Sequence, residues 1–230
     1  MKKKSKEYKL WKKKSRLQKS EICSLGPHTS YQIKNTPRRI LFALARYKFA
    51  AKMIGEKKNI LELGCGDGFS SFILSEFASS YLGVDFDEDL IEWAKNNLKD
   101  KKRDFINENF LGGQYGKFDA VVNFDVLEHI YPKSEKIFME TLFNNLKTDG
   151  LAIVGTPNKE SSRFSAQHVN AAHINLKDAD SLKGLLSSYF SNVFLFSMND
   201  ELVHSGYYPL AQYFIGIGLG LRKSRLGKRR

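Results

Sequence analysis

The chain has 230 residues, 42% of them hydrophobic and 27% charged, with a formal net charge of +12 at pH 7. That length suffices for one domain with a sizeable core, so neither a disulfide framework nor a structural metal is needed. The two cysteines, Cys23 and Cys65, fit no CxxC or zinc spacing, which points to a reducing, cytoplasmic setting. The basicity belongs to the ends: residues 1–20 hold ten Lys/Arg against one Glu and residues 222–230 hold six with no acid, leaving a slightly acidic body.

Residues 1–20 read as a basic disordered arm with no apolar run or cleavage site of a signal peptide, and residues 21–55 as a lead-in followed by a helix. Thr36-Pro37 has the form of an N-cap followed by proline at the first helical position. After it Ile40, Leu44, Tyr47, Ala51 and Ile54 make a helical stripe that stops at Gly55. From residue 56 to 221 strand and helix patterns alternate. Strands are expected at 59–63, 80–84, 105–108, 120–124, 151–155 and 193–196, with helices at 68–77, 88–98, 132–146 and 178–189 between them. The final stretch, Ala211–Leu219, reads as a helix or as the return strand of a hairpin. Ile215, Ile217 and Leu219 alternating with Gly216, Gly218 and Gly220 favour the strand. Residues 222–230 are a basic tail. The run Tyr207–Leu221 is too short and too interrupted to span a bilayer. The fold class is therefore α/β: a Rossmann-like, doubly wound, mostly parallel seven-stranded sheet with a C-terminal antiparallel hairpin.

The sharpest local signal is Asn59–Ser71, NILELGCGDGFSS, in which a strand runs into Gly64-Cys65-Gly66-Asp67-Gly68 and a helix follows. Glycines there allow a tight turn and close approach of a ligand to the backbone. The spacing is GxGxG, and the third position of a dinucleotide-binding GxGxxG is the bulky Phe69, which argues against nicotinamide or flavin. Asp85 closes the next strand, where a carboxylate accepts hydrogen bonds from ribose hydroxyls; its bland role would be to cap the following helix. Phe86 is placed to stack on a purine.

The order of ELGCGDG, the acid Asp85, FDAVVNFDVLEHI and LKTDGLAIVGTPN resembles class I S-adenosylmethionine-dependent methyltransferases over residues 38–200. The LEH and TPN motifs are most similar to small-molecule enzymes such as ubiquinone-biosynthesis O-methyltransferases. RYKFAAKMIG, HIN and FSMND resemble methyltransferases associated with bacterial surface polysaccharides. The resemblance implies S-adenosyl-L-methionine as methyl donor, with S-adenosyl-L-homocysteine as product. It places Glu62, Gly64, Cys65 and Gly66 around the methionine portion, Asp85 on the ribose and Phe86 beside the adenine. Asn109 and Phe110 fall near the adenine amine, and Phe124 and Asp125 line the sulfonium side.

A sugar or phenol hydroxyl is a poor nucleophile until its proton is removed, and histidine titrates in the right range to remove it. His129, after the fourth strand, and His173, after the fifth, are the catalytic candidates, with packing or capping as the competing role for each. His168 lies five residues before His173, but HVNAAH is no metal signature, so metal-free chemistry is expected. The polar stretch 156–172 reads as a substrate lid, with Arg46, Tyr47 and Lys48 either as its opposite wall or, for Arg46 and Lys48, as solvated charges on an amphipathic helix. The expected acceptor is a small molecule or glycan precursor, methylated on oxygen. Two alternatives stand beside it: an RNA or protein methyltransferase gripping its target with the basic tails, and a non-catalytic scaffold. The tails also provide for peripheral contact with an anionic membrane.

Overall fold

The computed structural model describes residues 4–14, 23–164 and 172–222. Among them are seven α-helices: α1 Lys6–Lys14, α2 Pro27–Asn35, α3 Arg38–Ile54, α4 Ser71–Leu74, α5 Glu88–Asn97, α6 Glu135–Asn144 and α7 Ala179–Ser187. The eight strands are β1 Asn59–Leu63, β2 Ser80–Asp85, β3 Arg103–Asn107, β4 Phe118–Phe124, β5 Leu146–Pro157, β6 Phe190–Asn199, β7 Leu202–His204 and β8 Tyr213–Leu221. They form one sheet in the order β3-β2-β1-β4-β5-β8-β6-β7. The first five are parallel, and β8 pairs antiparallel with both β5 and β6.

Because the parallel strands are covered on both faces, their side chains alternate between two cores rather than between core and water. Leu61, Leu63 and Val121 point to the core under α6 and α7, whereas Ile60, Ala120 and Val122 point to the one under α3 and α5. Asp119 ties two strand starts together, accepting from the Asn59 amide at 2.8 Å and pairing with Lys147 at 2.9 Å.

The C-terminal run is a strand, as its alternation implied, and it is inserted between β5 and β6. Its glycines make room for α7 and its flank. A Cβ on Gly216 would lie 2.4 Å from Leu186, and one on Gly218 2.4 Å from Phe190. The sheet has eight strands rather than seven because the chain turns at Asp200 (φ 50°) and adds the three-residue edge strand β7, too short to show a period.

Two N-terminal expectations change. Residues 6–14, read as part of a disordered arm, are helical: the Ser5 hydroxyl accepts the Tyr8 amide at 3.2 Å and caps that turn. Within the lead-in, residues 27–35 form α2, with Pro27 at its first position. Thr36 does not cap α3; its hydroxyl bonds back to the Gln32 carbonyl of α2 at 3.4 Å, and α3 starts from Pro37. The helix expected at 68–77 is only α4, because Gly68 at φ 75° keeps the loop going past it. His168 and the middle of the expected lid lie outside the described residues. No helix among the described residues is long and apolar enough to cross a membrane.

Candidate active site

The strand order reverses between β1 and β4, and the crevice at such a switch point is where open α/β sheets bind ligands. Gly64, Gly66 and Gly68 all have positive φ (82°, 53° and 75°), so the loop after β1 takes a path open to few other residues. The Val84 carbonyl holds its start, accepting from Gly64 N–H at 2.7 Å. Gly68 also packs close, since a Cβ there would sit 2.7 Å from the Phe105 ring. It thus does the packing work that the spacing seemed to deny by placing Phe69 at the third position.

Asp85 stands where β2 meets this loop. One oxygen accepts from Gly66 N–H at 2.8 Å and the other from Asp87 N–H at 3.0 Å. Asp87, not Asp85, caps α5, accepting from Leu90 N–H at 3.1 Å, so the capping role leaves Asp85 free for a ligand. The Asn107 amide bonds the Phe86 carbonyl at 2.9 Å and fixes the turn, while the Phe86 ring stands 74% exposed over the crevice rim, an aromatic surface without a core partner.

The other expected contacts are less uniform. Glu62 is fully buried behind the loop, where the Ser70 hydroxyl and, at 2.6 Å, the Tyr81 hydroxyl both donate to Oε2. Oε1 has no hydrogen-bond partner among the described residues; the Tyr47 hydroxyl lies near without bonding geometry. Burial therefore pushes this carboxyl up to about 7 despite those donors, with Asp85 adding repulsion. The Cys65 thiol is buried against Gly83 and raised by that burial, so Cys65 can meet a ligand only through its backbone. Asn109 is exposed, and its side-chain oxygen accepts the Leu111 amide at 3.2 Å. The Phe110 side chain is buried in the core against Phe138, ring centroids 6.3 Å apart, which leaves only its backbone to meet a ligand.

At the end of β4, Phe124 is buried with its ring edge-on to Tyr47 at 5.2 Å. Asp125 follows in the left-handed region, φ 57°, an uncommon conformation for a residue with a Cβ. Both its oxygens lie 2.6 Å from Arg46 Nη1, and the guanidinium lies over the Tyr213 ring at 4.3 Å. Burial opposes the Arg46 charge, and Asp125 more than restores it. Arg46 and Tyr47 thus pack beside Asp125 and Phe124, while Lys48 is exposed on the same helix.

Beyond Asp125, residues 127–129 make a 3-10 turn that buries Glu128 and leaves His129 exposed. Thr156 donates to Glu128 Oε2 at 3.1 Å, and the Asn175 amide donates to the Glu128 carbonyl at 3.0 Å. Burial and the nearby Asp125 push the Glu128 carboxyl up. His129 and His173 are brought together, their rings edge-to-face at 5.1 Å, and burial with His129 and Arg39 nearby lowers His173 despite Asp125. Glu128, His129 and His173 each offer a donor atom within 4.8 Å of the other two. His173 also lines an open cleft of about 940 Å³ with Asn35, Arg38, Arg39, Phe42 and Gln212. Asn158 of the TPN motif is a buried staple, its amide donating to the Tyr208 and Ala211 carbonyls at 3.1 and 2.8 Å.

Sequence reasoning missed Glu128, whose only signal was an acid inside the apolar run VLEHI. It also missed Asp67 and Thr29. Asp67 is buried and accepts from Thr29 N–H at 2.8 Å and Thr29 Oγ1 at 2.9 Å, which clamps α2 onto the glycine loop. No local pattern marks a bond across 38 residues.

Comparison with known proteins shows the family to which the fold belongs. The profile of a family described as a methyltransferase domain matches residues 34–189. A probable S-adenosylmethionine-dependent methyltransferase of Mycolicibacterium smegmatis is 30% identical over 128 residues, covering 51% of this chain and 48% of the relative. The ubiquinone biosynthesis O-methyltransferase of Caulobacter vibrioides is 27% identical over 149 residues, 60% of this chain and 58% of the relative. The chain thus spans about half the length of the curated relatives it matches. Among solved structures, the N-methyltransferase NodS of Bradyrhizobium japonicum, in complex with S-adenosyl-L-homocysteine, shares the fold. It has a TM-score of 0.60 at 15% identity, covering 83% of this chain and 91% of that one.

Proposed function

Since the chain belongs to the class I S-adenosylmethionine-dependent methyltransferases, we propose that it methylates a hydroxyl of a small molecule or glycan precursor. The observation that carries this reading is Asp85, pinned by Gly66 N–H at 2.8 Å under a positive-φ glycine loop, with Phe86 exposed beside it. S-adenosylmethionine supplies, when bound, an activated methyl group on a sulfonium. Asp85 has lone pairs remaining for the two ribose hydroxyls, and Phe86 offers its face to the adenine. The backbone at Gly64, Cys65 and Gly66 borders the amino-acid portion. Glu62 fits a cationic cofactor: its Oε1 is a buried acceptor without a partner, placed behind the same loop.

Phe124 and Asp125 border the reacting side, and Arg46 holds Asp125 in place. The acceptor enters from the cleft lined by Arg38, Arg39 and His173. Neither arginine is in an ion pair among the described residues, which favours an acceptor carrying an anionic group, such as a phosphorylated sugar. The cluster of Glu128, His129 and His173 takes the proton that the hydroxyl must lose as its oxygen gains the methyl group.

Calorimetric titration with S-adenosylmethionine and S-adenosylhomocysteine tests the cofactor assignment. Wild type binds both, and Asp85→Ala weakens binding by about tenfold or more, the loss of at least one hydrogen bond to a charged group. Absence of binding to wild type would leave the scaffold reading in front. Phosphorylated sugars and phenols are then compared as acceptors by release of S-adenosylhomocysteine.

A further inference from the structure

Residues 4–14 hold six lysines against one acid, Glu7, and none of these charges is in an ion pair among the described residues. The apolar side chains of α1 are left to water as well. Leu10 and Trp11 are 63% and 66% exposed, Tyr8 is exposed beside them, and none of the three belongs to either core. We propose that α1 binds the surface of an anionic lipid bilayer. The binding stands apart from the methyl-transfer reading, whereas its use, bringing the acceptor cleft to an acceptor held at the bilayer, rests on that reading.

Two attractions meet on this helix. Each lysine close to an anionic surface strengthens binding about fivefold, an effect that fades within a Debye length. Tyr8 and Trp11 stand three residues apart, so their rings share one side of the helix, and such rings settle at the level of lipid headgroups. Leu10 adds apolar surface that a bilayer buries and water does not. Lysine stems can lie along apolar surface while their ammonium groups stay among phosphates; Lys4 Nζ already stands 4.8 Å from the centre of the Tyr8 ring. An RNA would engage the lysines but leave Leu10 in water, and the slightly acidic body repels the rest of a long polyanion.

The topology ties this contact to the acceptor cleft. Residues 15–26 join α1 to α2 with a reach of at most about 40 Å, and the chain passes from the end of α2 through residues 35–39, which line the cleft. The other basic end leaves the fold elsewhere. Pro157, on the cleft wall, pairs with Tyr213 at the start of β8, and β8 runs antiparallel to β5 from there, so it ends at Leu221 on the opposite edge of the sheet. A bilayer-bound α1 therefore keeps Arg38 and Arg39 within reach of the headgroup layer, which suits an acceptor whose anionic group is anchored there.

The full chain is sedimented with vesicles of phosphatidylcholine alone and of phosphatidylcholine with roughly 30% phosphatidylglycerol, at about 0.15 M salt. S-adenosylhomocysteine binding is measured on the same samples. Wild type is expected to bind the anionic vesicles only, with a blue shift of tryptophan emission that Trp11→Ser removes. Replacing Lys12, Lys13 and Lys14 together by glutamine weakens binding roughly 100-fold. The pair Leu10→Ser and Trp11→Ser weakens it at least about tenfold. S-adenosylhomocysteine affinity stays unchanged in all variants, which shows that they are folded. Equal binding to both vesicle types, no binding to either, or full binding by the serine pair overturns the proposal. So does tighter binding to an RNA homopolymer than to the anionic vesicles at the same salt, which would favour a nucleic-acid grip. Vesicle failure with intact S-adenosylhomocysteine binding refutes the lipid contact alone; absence of S-adenosylhomocysteine binding in wild type refutes the methyl-transfer reading and leaves the lipid result standing.

Discussion

Replacing Glu62 by glutamine isolates a carboxylate whose ionisation the fold opposes. Burial raises it from 4.5 to about 7, and a rise of that size separates the neutral and ionised forms by about 3 kcal/mol. Between those values the native chain keeps a proton that the unfolded chain has lost. The stabilisation from this group is therefore complete below pH 4.5 and is lost as pH rises through about 7. Glutamine has no such dependence. Its melting temperature relative to wild type is expected to rise by roughly 6–10 °C between about pH 5 and pH 8, the equivalent of 2–3 kcal/mol for a chain of this size. The same proton couples to the cofactor. S-adenosylmethionine carries two cationic groups, so its binding favours the ionised carboxylate. Affinity should climb up to about tenfold per pH unit below 7, then level off, with about one proton released near pH 6. Calorimetry in buffers of different ionisation enthalpy counts that proton, and Glu62→Gln abolishes both the slope and the release. An affinity flat from about pH 5.5 to 7, with a melting difference independent of pH, would refute the reasoning.

The Arg46–Asp125 pair is asymmetric, Arg46 being 13% and Asp125 48% exposed by side chain. Asp125→Asn strands a buried cation, so it should destabilise by about 2–4 kcal/mol and by more than Arg46→Met, read by urea unfolding. The reverse order would show that the backbone at Asp125, and not the charge, dominates. Gly68→Ala combines a positive φ with a 2.7 Å contact to Phe105, and a loss of at least about 2 kcal/mol is expected by thermal melting. Thr29→Val removes the 2.9 Å hydroxyl bond that α2 makes to Asp67 and leaves only the one from the Thr29 backbone N–H. Hydrogen exchange should rise across residues 64–68, and S-adenosylhomocysteine should bind about tenfold more weakly; unchanged exchange would mean that the loop holds its shape alone.

Much of the molecule was legible because its determinants are local. Alternating apolar runs gave the strand and helix order, and the Ile/Gly alternation of residues 215–220 gave the last strand. The glycine spacing with Asp85 and Phe86 gave the edge of the crevice where the cofactor is proposed to bind, since strand, turn and acid lie within about thirty residues of one another. What stayed hidden follows from distance along the chain or from which way a side chain turns. Phe110 and Cys65 were named as binding residues, yet their side chains enter the cores, a choice made by packing. Residues 27–35 look like a loop until Asp67 is there to hold Thr29. The acceptor side was the least legible: His129 and His173 could be named as single candidates, but their meeting with Glu128 depends on β5 lying beside β4 and on Asn175 mooring the segment after it. The sequence alone determined the succession of strands and helices along most of the chain and the glycine-rich character of the loop, because periodicity and backbone freedom are properties of neighbouring residues. Only the tertiary structure decided which donors converge, because convergence is set by sheet register and by hydrogen bonds between segments that share no local pattern.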